Sequence, residues 1–520
     1  MGKKAKRQKA LAKRMYAGAK AGRLAMTAGT SSADSELYVS LAALRNRSRA
    51  LVRDVVYAKR AKTVVVNNVI GPGVGLQAQV GNTRGGLNQR VNDAIELAWE
   101  QWSRADACHT GGALHFADLE RAAMSEVFEA GECLIRLHPL RVGDSQVPLA
   151  LELIEAERIA DDFEVKPPAG AAVTLGIEHD GFGRPLAYYV HTEHPNTLRL
   201  SPGRKRDDIL RIPADQIIHL RIVERWPQTR GAPWLHAAIN GINQLGEYVN
   251  AAVVAARIGA SKVGFFESPD GDPNALADGQ EATDDGGTTP SMKVEAGEFT
   301  QLPPGYKFTS WDPNYPADAF DPFLRAILRG IAAGVGVSYE SLSRDYSQSN
   351  YSSSRLALLD DRDLWRVLQR WWIRSFREPL HARWLQAAVL SGAIPAIGRA
   401  EFLENPEKFR AASWKPRGWS WVDPTKEVQA FKEAERAGYC TKADIIAATA
   451  GGQDLEDVLR ARKRELELLA EFGITTDTTT PIAAPPAPAE PPEPPDTEDE
   501  GEDEESDDDA PQRAALMRVK

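Results

Sequence analysis

The chain has 520 residues, 42% of them apolar and 26% charged, a soluble-protein composition with enough length for several domains or one subunit with a sizeable core. No run of about 18 apolar residues occurs, which excludes a membrane-spanning helix, and the three widely spaced cysteines (Cys108, Cys133, Cys440) fit neither a disulfide framework nor a zinc knuckle. The net charge of −10 hides a division: residues 490–509 hold 13 acids and no base, so the rest of the chain sums to +3.

Met1 to Arg23 is basic and alanine-rich, with no apolar core behind it, so it reads as a solvated arm and not a secretory signal. The sharper alternative is an arm that touches DNA or an acidic partner by counterion release. Ser35 to Ala61 reads as a helix, with Leu37, Leu41, Leu44, Leu51 and Val55 on one side. Asn67, Asn68 and the glycines at 71, 73 and 75 make a turn-rich segment. Three glycines invite a phosphate-loop reading, but no Gly-Lys-Ser/Thr follows. Helices are expected at Val91 to Trp102 and at Phe116 to Ala130, the latter ended by Gly131.

From Glu132 to Glu224 short alternating runs replace the helical period, which predicts a β-rich module. Its runs are CLIRLHPL, VPLALELI, AVTLGIEHD, PLAYYVH and QIIHLRIV, with a hairpin turn at Asp180 to Gly183. His179, His191, His194 and His219 fall here, yet none pairs with a second ligand at helical spacing. Hydrogen-bonded structural histidines are the expectation, and no metal. Trp234 to Lys262 predicts a long helix rich in alanine and glycine. Phe265 to Ser291 then has too little apolar content to pack, and a hairpin is expected around Pro303 to Gly305.

Phe320 to Val335 is amphipathic, with Phe320, Phe323, Leu324, Ile327, Leu328 and Ile331 at spacings of three and four, ended by Gly334 and Gly336. Val337 to Tyr351 is polar and lacks an apolar period. A helix from Ser353 to Leu390 follows, on the order of 50 Å long if unbroken, with a kink expected near Pro379. Asp360, Asp361 and Asp363 open that helix, where carboxylates oppose the macrodipole, so no metal site is inferred. Trp365, Trp371, Trp372 and Trp384 fall at core spacing. Ile394 to Trp421 reads as an irregular, tryptophan-rich wrap and Pro424 to Phe472 as short helices. Thr475 to Asp509 is a proline-rich linker and an acidic run, both expected to be disordered.

No Walker A, His-Glu-x-x-His, Gly-x-Ser-x-Gly or Cys-x-x-Cys motif occurs, so no catalytic residue is assigned and no enzyme is expected. Long helices around a polar excursion expose more apolar surface than one subunit covers, which suits heterologous contacts that close into a ring.

Three blocks point further: NNVIGPGVGLQ (Asn67 to Gln77), RGAPWLHAAINGINQLGEYVNAAVVAARIGA (Arg230 to Ala260) and GVSYESLSRDYSQSNYSSSRLALL (Gly336 to Leu359). Together they resemble the lambda-type portal proteins of tailed bacteriophages, over roughly residues 35 to 470. The resemblance implies an α+β, elongated subunit with long stem and wing helices. Residues 1–34 are then the basic arm, 35–230 the β-containing wing, 231–262 and 319–335 the stem helices, and 263–318 the clip. Residues 336–352 are the tunnel loop, 353–424 the long wing helix and tryptophan wrap, 425–472 the crown, and 473–520 the tail. It also implies a homo-oligomeric ring, a dodecamer, at one capsid vertex, assembled in the host cytoplasm and carried in the virion. Its partners would be double-stranded DNA, the terminase large subunit, the major capsid protein and the head–tail connector, with no cofactor, no membrane and no enzymatic activity. On this reading Arg344, Tyr346, Gln348, Asn350 and Tyr351 face DNA, or Arg344 pairs with Asp345 or Glu340 of a neighbour. The other function classes are a packaging enzyme, which needs motifs that are absent, and a DNA-binding head-assembly protein, which calls for a strongly basic body.

Overall fold

The computed structural model describes residues 30–82, 87–163, 167–197, 209–260, 264–267, 280–282, 288–290, 307–310, 320–419, 424–449 and 455–474. The expectations for the basic arm, the turn at 303–305, Trp421 and the tail lie outside these. The first helical stretch is two helices, α1 (Ala33–Asp54) and α2 (Val56–Val69), because Val55 turns extended at φ −112°, ψ 122°. Helix α2 runs through Asn67 and Asn68, where the sequence suggested a turn. These two asparagines anchor distant parts of the chain: Arg121 and Trp419 donate to their side chains, and Gln369 and Arg417 to their carbonyls. The glycine-rich segment then enters β1 (Gly75–Ala78), which pairs antiparallel with a later strand, Ala412–Lys415, from the tryptophan wrap.

Helix α3 (Gln89–Trp102) and the short α4 (Ala105–Cys108) precede α5 (Phe116–Ala130). Gly131 ends α5 at φ +92°. A Cβ there would sit 2.3 Å from the Ala232 carbonyl carbon, so both the conformation and the close backbone crossing need glycine. The β-module is two sheets. One has three strands in the order β3 (Ala150–Ile154), β2 (Glu132–His138), β8 (Ile217–Arg221). The other has four: β4 (Ala172–Thr174), β5 (Ile177–His179), β6 (Pro185–His191) and β7 (Ile209–Pro213), the last unforeseen. The turn at Asp180 to Gly183 joins β5 to β6, with Asp180 Oδ1 accepting from the Phe182 and Arg184 amides at 2.8 Å each. Alternation along β2 sends Cys133, Ile135 and Leu137 into the main helical core. Leu134 instead joins Ile154, Ile177, Tyr188, Val190 and Ile212 in a second core.

Helix α6 spans Ile239–Ala260, later than the composition suggested. Residues 230–238 are held by tertiary bonds instead: the Trp234 amide donates to the Phe128 carbonyl and its indole to that of Val335, at 3.0 and 2.8 Å. In the segment expected to resist packing, β9 (Gly264–Glu267) pairs with β12 (Lys307–Ser310), and β10 (Gln280–Ala282) with β11 (Thr288–Pro290).

Helix α7 (Phe320–Val335), a helical turn α8 (Tyr339–Ser343) and α9 (Tyr351–Trp372) follow. A π-helical turn, Ile373–Arg377, joins α9 to α10 (Glu378–Ser391). Pro379, in the first turn of α10, has no N–H to give the i−4 carbonyl, and the irregularity falls just before it. Short helices α11 (Arg399–Glu404) and α12 (Pro406–Arg410) lead to β13 (Ala412–Lys415), then α13 (Pro424–Arg436) and α14 (Lys442–Thr449). The chain divides after Leu455, so α15 (Leu455–Glu471) belongs to the second unit from Glu456 onward, with an Arg462–Glu465 pair on its surface.

A partly buried charge cluster ties α1, α2 and α5 together. Arg49 bonds Glu126 and Glu157 and lies near Glu129, which also takes Lys62. Burial outweighs the attraction of the shared Arg49 and pushes Glu126 up to about 7. Its folded pKa lies above the unfolded value of 4.5. That contribution to stability is therefore full below about pH 4.5 and is lost as pH rises through 7. Glu126→Gln should flatten this dependence: relative to wild type, its melting temperature should be higher at pH 8 than at pH 5. Equal differences at the two pH values would contradict the shift.

Candidate nucleic-acid interface

The polar excursion between the long helices starts where α7 stops. Gly336, at φ +78°, lets the Gly336 and Val337 amides return to the Ala332 carbonyl, closing the helix. Ser338 then caps α8, its Oγ accepting from the Ser341 amide at 3.3 Å. Val337 and Leu342 are buried, so this turn is seated on the core and is not a free loop.

Asp361 holds it there. Helix α9 begins at Tyr351, ten residues earlier, so Asp360, Asp361 and Asp363 do not open it and the macrodipole explanation fails. The side chain of Asp361 is buried and accepts from the Ser338 amide (2.8 Å), the Ser338 hydroxyl (2.7 Å) and the Ser341 hydroxyl (2.6 Å). Asp363 pairs instead with Arg366 on the surface. A second brace runs to α7. Asp345 accepts from Tyr339 Oη at 2.8 Å and from the Ser347 amide and hydroxyl at 3.0 and 2.6 Å, and Arg325 lies 3.4 Å away. These hydrogen bonds, Ser347 first, hold its carboxyl down at about 2. Arg329 lies over the Tyr339 ring at 5.3 Å.

The expected DNA-facing residues sit on this braced platform. Arg344 is the C-cap of α8, left-handed at φ +59°, with its amide bonded to the Glu340 carbonyl and its side chain exposed. Among the described residues it has no ion-pair partner; Asp345 is braced as above, and Glu340 accepts from Ser349. Tyr346 is 61% exposed, and Gln348 is exposed in the turn that follows. Asn350 serves the helix itself, since its Oδ1 accepts from the Ser353 amide at 2.8 Å in a capping box, and Tyr351 is the first residue of α9. The sequence assigned Asp361 a different role and did not single out Arg60. Arg60, from α2, donates through Nε to the Ser341 carbonyl at 3.0 Å. Ser-x-x-Ser after a helix-ending glycine signals the cap at Ser338. No local pattern announces a partner 281 positions away.

Elsewhere the described residues hold no group of three or more His, Cys, Asp or Glu able to bind a metal. His219 is bonded to Glu132 at 2.9 Å and to Arg221 at 2.8 Å, a structural histidine.

Residues 22–369 match the family model for phage portal proteins of the lambda family, a span that takes in all three sequence blocks and the braced turn. The chain belongs to the lambda family of phage portal proteins. Portal proteins are structural, non-enzymatic components that form oligomeric rings. This portal chain is 29% identical over 445 residues to the "probable portal protein" of Halomonas phage phiHAP-1, covering 85% of this chain and 83% of that one. It is 22% identical over 464 residues to the portal protein of Escherichia phage N15, with 84% and 86% covered. Portal protein B of Escherichia phage lambda is 26% identical over 176 residues, 34% of this chain and 33% of that one. Solved structures with similarity include a chain of the neck of a native gene transfer agent particle, 14% identical, covering 77% of this chain and 93% of that one, with a TM-score of 0.38. Another is an HK97-family portal protein from Corynebacterium diphtheriae, 11% identical, covering 73% and 95%, with a TM-score of 0.29.

Proposed function

We propose that copies of this chain, twelve in number, close into a ring at one capsid vertex and pass double-stranded DNA through the centre during packaging and ejection. The terminase large subunit docks for packaging and supplies ATP hydrolysis, since this chain carries no nucleotide motif. The head–tail connector takes its place afterwards, and the major capsid protein surrounds the ring. Assembly takes place in the host cytoplasm and the ring remains in the virion. In this arrangement α6 and α7 are the stem helices, residues 263–318 the clip, 35–230 the wing and 425–472 the crown. Helix α6 meets α7 through Tyr248 against Phe320 and Phe323, and Ile242, Leu245, Leu328 and Ile331 of the two helices belong to the same buried core. Val253, Val254 and Phe323 stay exposed in the single chain, apolar surface that a neighbouring copy would cover.

The observation that carries the DNA contact is Arg344, an exposed guanidinium on a braced turn with no carboxylate partner among the described residues. Sliding requires contacts that are few, weak and blind to sequence, and phosphate contacts position a duplex without reading its bases. Tyr346, Gln348, Asn350 and Tyr351 flank it on the same segment. The test is Arg344→Glu: rings should assemble normally by negative-stain imaging while the fraction of DNA-filled heads falls at least severalfold. Failure of the ring would make Arg344 an intersubunit link, and normal filling would remove it from the channel.

A further inference from the structure

Helix α2 contributes a second cation at the place where α8 ends. The Nε of Arg60 donates to the carbonyl of Ser341 at 3.0 Å, which seats its guanidinium against the last turn of α8, the turn that Arg344 caps. Both side chains are at least partly open to solvent. Among the described residues no carboxylate lies within ion-pair distance of either one. The acids of the turn are engaged elsewhere: Asp361 with Ser338 and Ser341, Asp345 with Tyr339 and Ser347, and Glu340 with Ser349. The two cations sense each other, for partial burial and then the charge of Arg344 lower the pKa of Arg60. Two like charges held together by a Ser341 tether and a capped turn cost free energy, and a shared anion offsets that cost.

We infer that Arg60 is a second phosphate-contacting residue of the channel, brought by the fold beside Arg344 so that two guanidiniums meet one stretch of DNA backbone. The inference rests on the reading that the 336–352 segment faces DNA. Arg60 adds a contact from outside that segment, anchored on a helix and not on the turn itself. Its geometry follows from the Ser341 carbonyl, and that in turn from the Asp361 clasp that seats α8.

Binding of assembled full-length rings to a blunt double-stranded DNA oligonucleotide, measured by fluorescence anisotropy across a salt series, tests this. Each phosphate neutralised contributes about 0.9 to the slope of log K against log salt. Arg60→Gln removes the cation from every subunit of the ring and should therefore make the slope shallower by about 0.9 for each subunit whose Arg60 touches DNA, as Arg344→Gln does, while Arg60→Lys, which keeps the charge, retains the wild-type slope. If Arg344→Gln lowers the slope and Arg60→Gln does not, the proposal is overturned and the channel reading stands. If neither lowers it, both fall. Should Arg60→Gln abolish rings that Arg60→Lys preserves, the counter-charge lies on a neighbouring subunit and not on DNA. Loss of rings in both variants would make Arg60 a structural tether, and again the proposal fails.

Discussion

Glu132→Ala is expected to lower stability by about 3–5 kcal/mol, because it strands two buried cations. The Glu132 carboxylate is wholly buried where β2 begins, against Arg45 from α1. Arg230 approaches it at 2.7 Å, His219 at 2.9 Å and the Gly231 amide at 2.9 Å. Arg45 and Arg230 also donate to the carbonyls of Ala130, Ala156 and Leu175, so the cluster joins α1, the end of α5, both sheets and the approach to α6. Against a usual total of about 5–15 kcal/mol, the loss should show as a large fall in melting temperature or as failure to accumulate soluble chain. A change within a degree or two would mean that the cluster is not holding these elements together. Glu132→Gln keeps the shape without the charge and should lie between.

The same cluster sets an acid limit. Burial raises the Glu132 pKa, but Arg230, Arg45 and His219 outweigh it and leave the carboxyl well below its usual range. Burial lowers His219 to about 4. For both groups the unfolded chain binds more protons than the folded one, so stability falls as pH falls. The His219 part is lost from 6.5 down through about 4, and the Glu132 part from 4.5 downward.

Arg377→Met should also cost about 3–5 kcal/mol, and here a second substitution identifies the cause. The Arg377 guanidinium is fully buried among the rings of Trp99, Phe116 and Trp414 at 4.9, 4.9 and 4.7 Å. It donates to the Val74 carbonyl at 2.6 Å and lies 3.5 Å from Glu120, which also accepts from the Trp372 indole at 3.0 Å. Removing the arginine alone leaves the Glu120 carboxylate buried without a cation, and burial already raises its pKa. The double variant Arg377→Met, Glu120→Gln removes both charges and should recover much of the loss. A double variant as unstable as the sum of the singles would show that lost ring stacking, and not the stranded charge, dominates.

Helices and their ends were largely legible because their signals are local. The apolar period placed α3, α5 and α7 within a residue or two, Gly131 and Gly336 marked two C-termini, and Asp180 to Gly183 marked a hairpin. The three blocks that carry the family resemblance all lie within the matched region. Even the π turn has a trace in the sequence. Leu368, Trp372, Phe376, Leu380, Trp384 and Ala388 are all buried at a constant spacing of four, and an α-helix of 3.6 residues per turn cannot keep such a row on one face without an extra residue.

What the sequence by itself determined is therefore where elements begin, end and turn a face inward, since these depend on residues a few positions apart. Tertiary structure alone decided which charges meet. Nothing near Asp361 in the chain shows that it will hold Ser338 and Ser341, and nothing near Glu132 announces Arg45 or Arg230. Strands β1 and β13, and Arg60 with Ser341, are brought together from opposite ends of the chain. A buried charge takes whichever partner the packing of apolar faces delivers, and that packing is a property of the whole fold.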